Sequence, residues 1–264
     1  MTVTSASRVD PALSAARARL GLIAVLFALA AVAWWSTADR MTGMDEGPGT
    51  ALGALGWFLG VWIVMMAAMM LPSVAPAVAL YARLAGERWR AGPWAFMAGY
   101  LLTWAAAGLV AYALAGLGRA LLDGSVTWDG AGRWLAGGTL LLAAVHELTP
   151  YKHACLSRCR SPLGFLVGSW RDGVGGALNM GARHGAWCVG CCWALMASLF
   201  ALGMMSLAWM AFVAALIALE KTLPWTGVAY ATATILIVLG IALIAAPGAI
   251  PGLTIPGAPA MSGM

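Results

Sequence analysis

The sequence predicts an all-α integral membrane protein, a polytopic transmembrane bundle of about seven helices, or six if the first were cleaved. Of its 264 residues, 62% are hydrophobic and 9% are charged, whereas a soluble domain carries about 25% charged residues. The hydrophobic residues form runs about as long as the hydrocarbon core of a bilayer requires. So much apolar surface needs lipid as its solvent, and the lipid bilayer is therefore the first expected partner.

Seven apolar runs are long enough to be transmembrane helices, and together they define one domain over residues 20–246. The fifth and sixth runs belong to a single apolar stretch, Gly185–Leu219, which is too long for one helix. A tight turn is therefore predicted around Gly203–Ser206. The predicted spans are residues 20–36, 51–71, 94–116, 131–148, 185–203, 205–219 and 226–246.

The first run follows a basic leader, residues 1–19, which is expected to be cytoplasmic. Ser36 and Ala38 have the small-residue spacing of a signal-peptide cleavage site, so cleavage after this run is an alternative. Trp34 and Trp35 favour an uncleaved anchor instead, because amphipathic rings prefer the membrane interface. Cleavage would remove one helix and leave the other spans unchanged.

Positive charge is distributed unevenly between the segments that connect the runs. Lys and Arg are retained on the cytoplasmic side of a membrane, so their positions orient the helices. With the N-terminus inside, twelve basic residues fall in inner segments and three, Arg40, Arg119 and Arg133, in outer ones. This asymmetry predicts a cytoplasmic N-terminus and an outer C-terminus. Because the basic residues form no continuous tract or face, no nucleic-acid partner is expected.

The longest segment between spans, residues 149–183, is predicted to be cytoplasmic. Thr149 and Pro150 suit the N-cap and the first position of a short helix. Pro162 is expected to end that helix, and the Gly-rich residues 164–181 are expected to lie along the membrane interface or re-enter it. A final segment rich in Pro and Gly, residues 247–264, is predicted to be a disordered outer tail.

Four methionines stand together at the end of the second predicted span. Met65 and Met69 are four residues apart, as are Met66 and Met70, so the two pairs stack in adjacent columns of a helix. A single Met in a helix usually fills space in packing. Four within two turns make a soft-metal site an equal alternative, because thioether sulfur is a ligand that suits Cu(I).

A second group of donors opens the fifth predicted span. His184, Cys188 and Cys192 follow one another at four-residue intervals, and Cys191 lies three residues after Cys188. This spacing places most of the donors on one stripe of a helix. Three cysteines in five residues, in register with a histidine, favour metal binding over simple packing. The five cysteines of the chain fall in two local groups, which also argues against a disulfide framework.

A third group lies on and before the predicted inner helix. Cys155 and Cys159 are four residues apart and could chelate one soft ion. His153 is on the same short helix but on another face. His146 and Glu147 precede it at the end of the fourth span, where a carboxylate is costly unless it is paired or functional.

All these groups fall at the cytoplasmic ends of their predicted spans. Every His and every Cys therefore lies at a similar depth on one side of the membrane, whereas residues used only for packing would scatter over both leaflets. Thiolates and thioethers together suit Cu(I). Zn(II) would accept Cys and His but would gain little from Met, so copper is favoured over zinc.

Five stretches of the sequence carry a family resemblance: Met65–Ser73, Thr149–Pro162, Cys188–Trp193, Met204–Ser206 and Glu220–Lys221. Over roughly residues 20–246, the chain resembles the bacterial predicted metal-binding integral membrane proteins, a domain-of-unknown-function family sometimes described as copper chaperone-like. The resemblance implies metal binding in a bacterial inner membrane. Arg158 departs from the family pattern, in which His is common at this position, so one potential ligand is missing.

The leading hypothesis is membrane-embedded binding and handling of Cu(I), with copper delivered to or received from a partner protein. Such a protein is not expected to be an enzyme, and no catalytic residue is assigned. A thiol–disulfide oxidoreductase that uses the same cysteines is one alternative, and a metal transporter is another. A copper-dependent oxidase or monooxygenase is a third alternative, with its ligands from His146, Glu147, His153 and His184.

Overall fold

A computed structural model describes residues 11–41, 52–86, 91–122, 131–203, 206–250 and 253. Within these ranges the protein contains nine α-helices and one short 3₁₀-helix, Pro247–Ala249, and no strand, which confirms the all-α class. The helices are α1 (Pro11–Met41), α2 (Leu55–Ala85), α3 (Gly92–Leu122), α4 (Arg133–Glu147), α5 (Pro150–Arg160), α6 (Pro162–Ser169), α7 (Gly173–Leu202), α8 (Leu207–Thr222) and α9 (Thr226–Ala245).

Five of these helices, rather than the predicted seven, are long and apolar enough to cross a membrane: α1, α2, α3, α7 and α9. Each of the seven predicted runs does overlap a helix. However, α4 has 15 residues and α8 has 16, which at 1.5 Å per residue gives about 22–24 Å, less than the ~30 Å of hydrocarbon. Both helices end inside the bundle, where Glu147 and Glu220 are buried.

Two long helices extend beyond their predicted limits. Helix α2 continues through Pro72 and Pro76 to Ala85, and the Ser73 hydroxyl donates to the carbonyl of Met70 near the first proline. Helix α7 begins at Gly173, so the second half of the Gly-rich segment is part of a long helix that could span a membrane. Small residues there permit close contact with α3.

The connecting segments agree with several sequence predictions. Helix α5 begins at Pro150, and the Thr149 hydroxyl accepts from the backbone N–H of Lys152. Helix α7 ends before Gly203, whose φ of 104° favours glycine, and Ser206 precedes α8, which confirms a break between the fifth and sixth runs. Met204 and Met205 lie outside the described residues, as does most of the predicted tail. Ile250, at the start of that tail, is buried.

Helix α7 lies at the centre of the packing and contacts α3, α4, α5 and α8. Helix α1 packs against α2, and α4 packs against α9. Helix α5, which carries two cysteines, therefore packs directly on α7, and α2, which carries the four methionines, packs against α3 and α8. This arrangement positions the candidate site.

Candidate metal centre

Three cysteines of α7 form a compact cluster of buried thiols. The sulfur atoms of Cys188, Cys191 and Cys192 all lie within 4.8 Å of one another, and those of Cys191 and Cys192 are 3.2 Å apart. Each residue exposes no more than 2% of its surface. The positions i, i+3 and i+4 on a helix share one face, so the local sequence alone brings these thiols together. We call these three residues, with Cys159, the thiol cluster.

Cys159 of α5 joins the cluster from a second element. Its sulfur lies 3.9 Å from that of Cys191, and it also contacts Cys188. Hydrogen bonding to Cys188, with a smaller contribution from burial, raises the pKa of the Cys159 thiol. Close packing of α5 on α7 depends on Gly190, where a β-carbon would come within 2.9 Å of the Cys155 sulfur. Cys159 is partly exposed, unlike the other three members of the cluster.

Two polar side chains from other helices contact Cys188. The Lys221 ammonium of α8 lies 3.1 Å from the Cys188 sulfur, and the Tyr100 hydroxyl of α3 is also 3.1 Å from it. An ammonium group at this distance is a setting that stabilises a thiolate. The sequence predicts neither contact: the adjacent acid and base in the sequence, Glu220 and Lys221, suggest an interfacial ion pair, whereas the structure pairs Glu220 with Lys152. Consecutive residues of a helix point about 100° apart. This angle is the feature of the sequence that indicates different surroundings for the side chains of Glu220 and Lys221.

The four methionines of α2 are all buried in the protein core and expose at most 6% of their surface. The Met70 sulfur lies 3.7 Å from the Lys221 ammonium, which also contacts Cys188. Met70 is thereby linked to the thiol cluster through a shared neighbour. Met65, Met66 and Met69 pack in the core around it.

The three histidines lie in separate surroundings. His146 accepts a hydrogen bond from the Trp193 indole N–H at 2.9 Å. His184 is enclosed by aromatic rings, with the Phe165 ring centroid 5.1 Å away. His153 is exposed on α5. Nδ1 of His146 and of His184 is buried without a hydrogen-bond partner among the described residues, but the structure does not bring the three imidazoles into one site.

The contacts of Glu147 and Cys155 are with residues outside the thiol cluster. Glu147 forms an ion pair with Lys152, whose ammonium also lies 2.7 Å from a carboxylate oxygen of Glu220. Burial alone would lower the pKa of Lys152, but the two carboxylates outweigh it, and the pKa of Lys152 lies above its usual value. Cys155 is buried on α5 beside Gly190 and Tyr151. These contacts indicate that Glu147 and Cys155 stabilise the packing of the helices.

Comparison with known families gives one match. Residues 59–243 match the PpoB2 family, described as copper chaperone. The chain belongs to this copper chaperone family. The matched range includes the thiol cluster, Met70 and Lys221. No curated protein and no solved structure shows a significant similarity to the chain.

The side chain of Arg158 shows what replaces the histidine expected from the family resemblance. Its guanidinium lies over the Trp187 ring, 4.6 Å from the centroid, a cation–π contact that directs the charge onto α7. The metal-ligand atoms that the structure groups together are the sulfurs of Cys188, Cys191 and Cys192. A buried group of thiols with a thioether nearby is suited to a soft ion.

Proposed function

We propose that this membrane protein binds Cu(I) as its cargo through the thiol cluster and passes it to, or takes it from, a partner protein. The observation that carries the proposal is the set of buried thiols on α7, with sulfur atoms within 4.8 Å of one another. Membership of the copper chaperone family supports the same metal. Copper is here a substrate that is held and released.

The donor set supports Cu(I) ahead of other ions. Thiolate and thioether sulfur are soft ligands, and the cluster offers four thiols with Met70 beside them. Zn(II) would use the thiols but would gain little from the thioether. Redox copper sites usually favour imidazole, and the histidines His146, His153 and His184 lie in three different surroundings. The geometry therefore gives little support to the oxidase alternative.

Cys159 supplies a route by which the metal can be exchanged. It is the partly exposed member of the cluster, and its sulfur is 3.9 Å from the buried Cys191. A thiol of an approaching protein could replace Cys159 in the coordination of copper while the α7 thiols still hold the ion. This arrangement supports handover by ligand exchange.

Metal analysis of the detergent-purified, reduced protein tests the proposal. We expect about one Cu(I) per chain of the wild type, and we expect Cys191→Ser to lose most of it because the central thiol of the cluster is removed. Cys155→Ser is the matched control, since Cys155 is equally buried but lies outside the thiol cluster. It should keep its copper.

Two outcomes would contradict the proposal. One is equal copper in the wild type and in Cys191→Ser, and the other is an equal loss in Cys191→Ser and Cys155→Ser. Thiol trapping tests the thiol–disulfide oxidoreductase alternative, because a disulfide relay would accumulate a Cys159–Cys191 disulfide in protein that binds no metal.

A further inference from the structure

Lys221 is a cation in the membrane domain that is not paired with a carboxylate among the described residues. Its ammonium donates to the Ser73 hydroxyl at 3.0 Å and contacts the Cys188 and Met70 sulfurs at 3.1 and 3.7 Å. The acid next to it in sequence, Glu220, is instead paired with Lys152. The positive charge of Lys221 is thus directed at the sulfur atoms themselves.

The backbone that carries Lys221 is fixed from the neighbouring helix. The Arg160 guanidinium of α5 donates to the carbonyl of Glu220 at 2.7 Å through Nε, and to the carbonyl of Leu223 at 2.8 Å. These bonds hold the last turn of α8 against α5, directly after Cys159. The ammonium is therefore held beside the thiol cluster by contacts at both ends of its side chain.

We propose that Lys221 sets the charge of the ion that the thiol cluster accepts, favouring a monovalent soft cation over a divalent one. This inference rests on the proposed function, because it assumes that the cluster binds metal. The repulsion between a fixed positive charge and a bound ion scales with the charge of the ion. A dication at the same sulfur atoms therefore meets twice the repulsion that Cu(I) meets. The softness of the sulfur ligands does not by itself distinguish a monovalent soft cation from a divalent one.

The test uses two soft ions that have the same number of electrons and differ by one unit of charge, Ag(I) and Cd(II). Association constants for both ions are measured by competition titration on the full-length protein in detergent. In Lys221→Gln we expect the Ag(I)-to-Cd(II) ratio of association constants to fall by about tenfold or more. Lys221→Arg keeps the charge and should keep the ratio close to that of the wild type.

Lys221→Leu serves as a second neutral variant, because it has about the volume of lysine and adds no metal ligand beside the cluster. A ratio that is unchanged in both neutral variants, while the wild type still binds Cu(I), would overturn this inference alone. A wild type that binds none of the three ions would overturn the proposed function together with it. Equal losses of Ag(I) and Cd(II) affinity would mean that Lys221 only supports the structure, and would also overturn the inference.

Discussion

Lys152 is a buried lysine that joins three helices. It exposes none of its surface, and its ammonium bonds to Glu147 at the end of α4 and to Glu220 near the end of α8. One carboxylate oxygen of each acid has no hydrogen-bond partner among the described residues. The lysine therefore compensates most of the charge that α4 and α8 bring into the interior, and its removal would leave both acids without a cation.

Lys152→Met is expected to destabilise the protein by about 3–5 kcal/mol, because breaking a buried ion pair leaves an uncompensated charge. The two carboxylates raise the pKa of Lys152, so the lysine's own contribution is lost only as pH rises through its folded pKa, which lies above the unfolded value of about 10.4. Burial raises the pKa of Glu147 to about 8, so the Glu147–Lys152 pair is fully ionised only above that pH. Denaturant unfolding at about pH 9 therefore measures the loss. The double variant Lys152→Met with Glu147→Gln should recover part of it, and wild-type stability in the single variant would contradict the account.

Individual residues differ in how far the sequence predicts their roles. The grouping of Cys188, Cys191 and Cys192 follows from helical spacing, so the sequence alone predicts it. For Cys159 the sequence predicts only a depth in the membrane shared with this group, and not the contact itself. For Lys221 the sequence suggests the wrong partner, because the direction of its side chain depends on how α8 is rotated against α7, and that rotation is set by tertiary packing.

At the scale of elements, α3 and α7 approach closely through glycines. A β-carbon on Gly181 would meet the backbone of Phe96, and one on Gly99 would meet the backbone of Leu178. The Thr103 hydroxyl then reaches across to the carbonyl of Ala182 at 3.1 Å. Helices in lipid associate through small residues that let their backbones approach. Gly181, from the segment whose glycines suggested an interfacial or re-entrant course, thus lies in the contact surface of a long helix.

Gly181→Ala is expected to destabilise the protein by about 1–3 kcal/mol, because the added methyl group meets a backbone that cannot rotate away. Gly175→Ala is the matched control in the same helix, since nothing lies within 4 Å of its β-carbon position. It should be neutral or gain up to about 1 kcal/mol from better helix propensity. Thermal unfolding of the two variants side by side measures the difference, and equal midpoints would show that the α3–α7 contact adapts without cost.

At the scale of the whole molecule, α3 and α7 run in the same direction. Phe96 faces Gly181 and Thr103 faces Gly185, so positions rise together along the two helices. Both are long and apolar enough to span a membrane, and two parallel spans require the chain to return between them. Helix α4 is the element available for that return. Because α4 and α8 have only 15 and 16 residues, five helices and not the predicted seven are long and apolar enough to be spans.

The side of the membrane on which α5 lies tests whether α4 returns the chain across the membrane. If α4 did not return, the third span would leave α5 outside, whereas the distribution of Lys and Arg predicts that α5 is cytoplasmic. Cys159 is partly exposed on α5, so a membrane-impermeant thiol reagent should label it in inverted vesicles and leave it unlabelled in intact spheroplasts. Cys159→Ser should abolish the label, because the other four cysteines are buried. Labelling of the wild type in spheroplasts would place the exchange thiol outside, and copper would then have to be received from or delivered to a partner on that side.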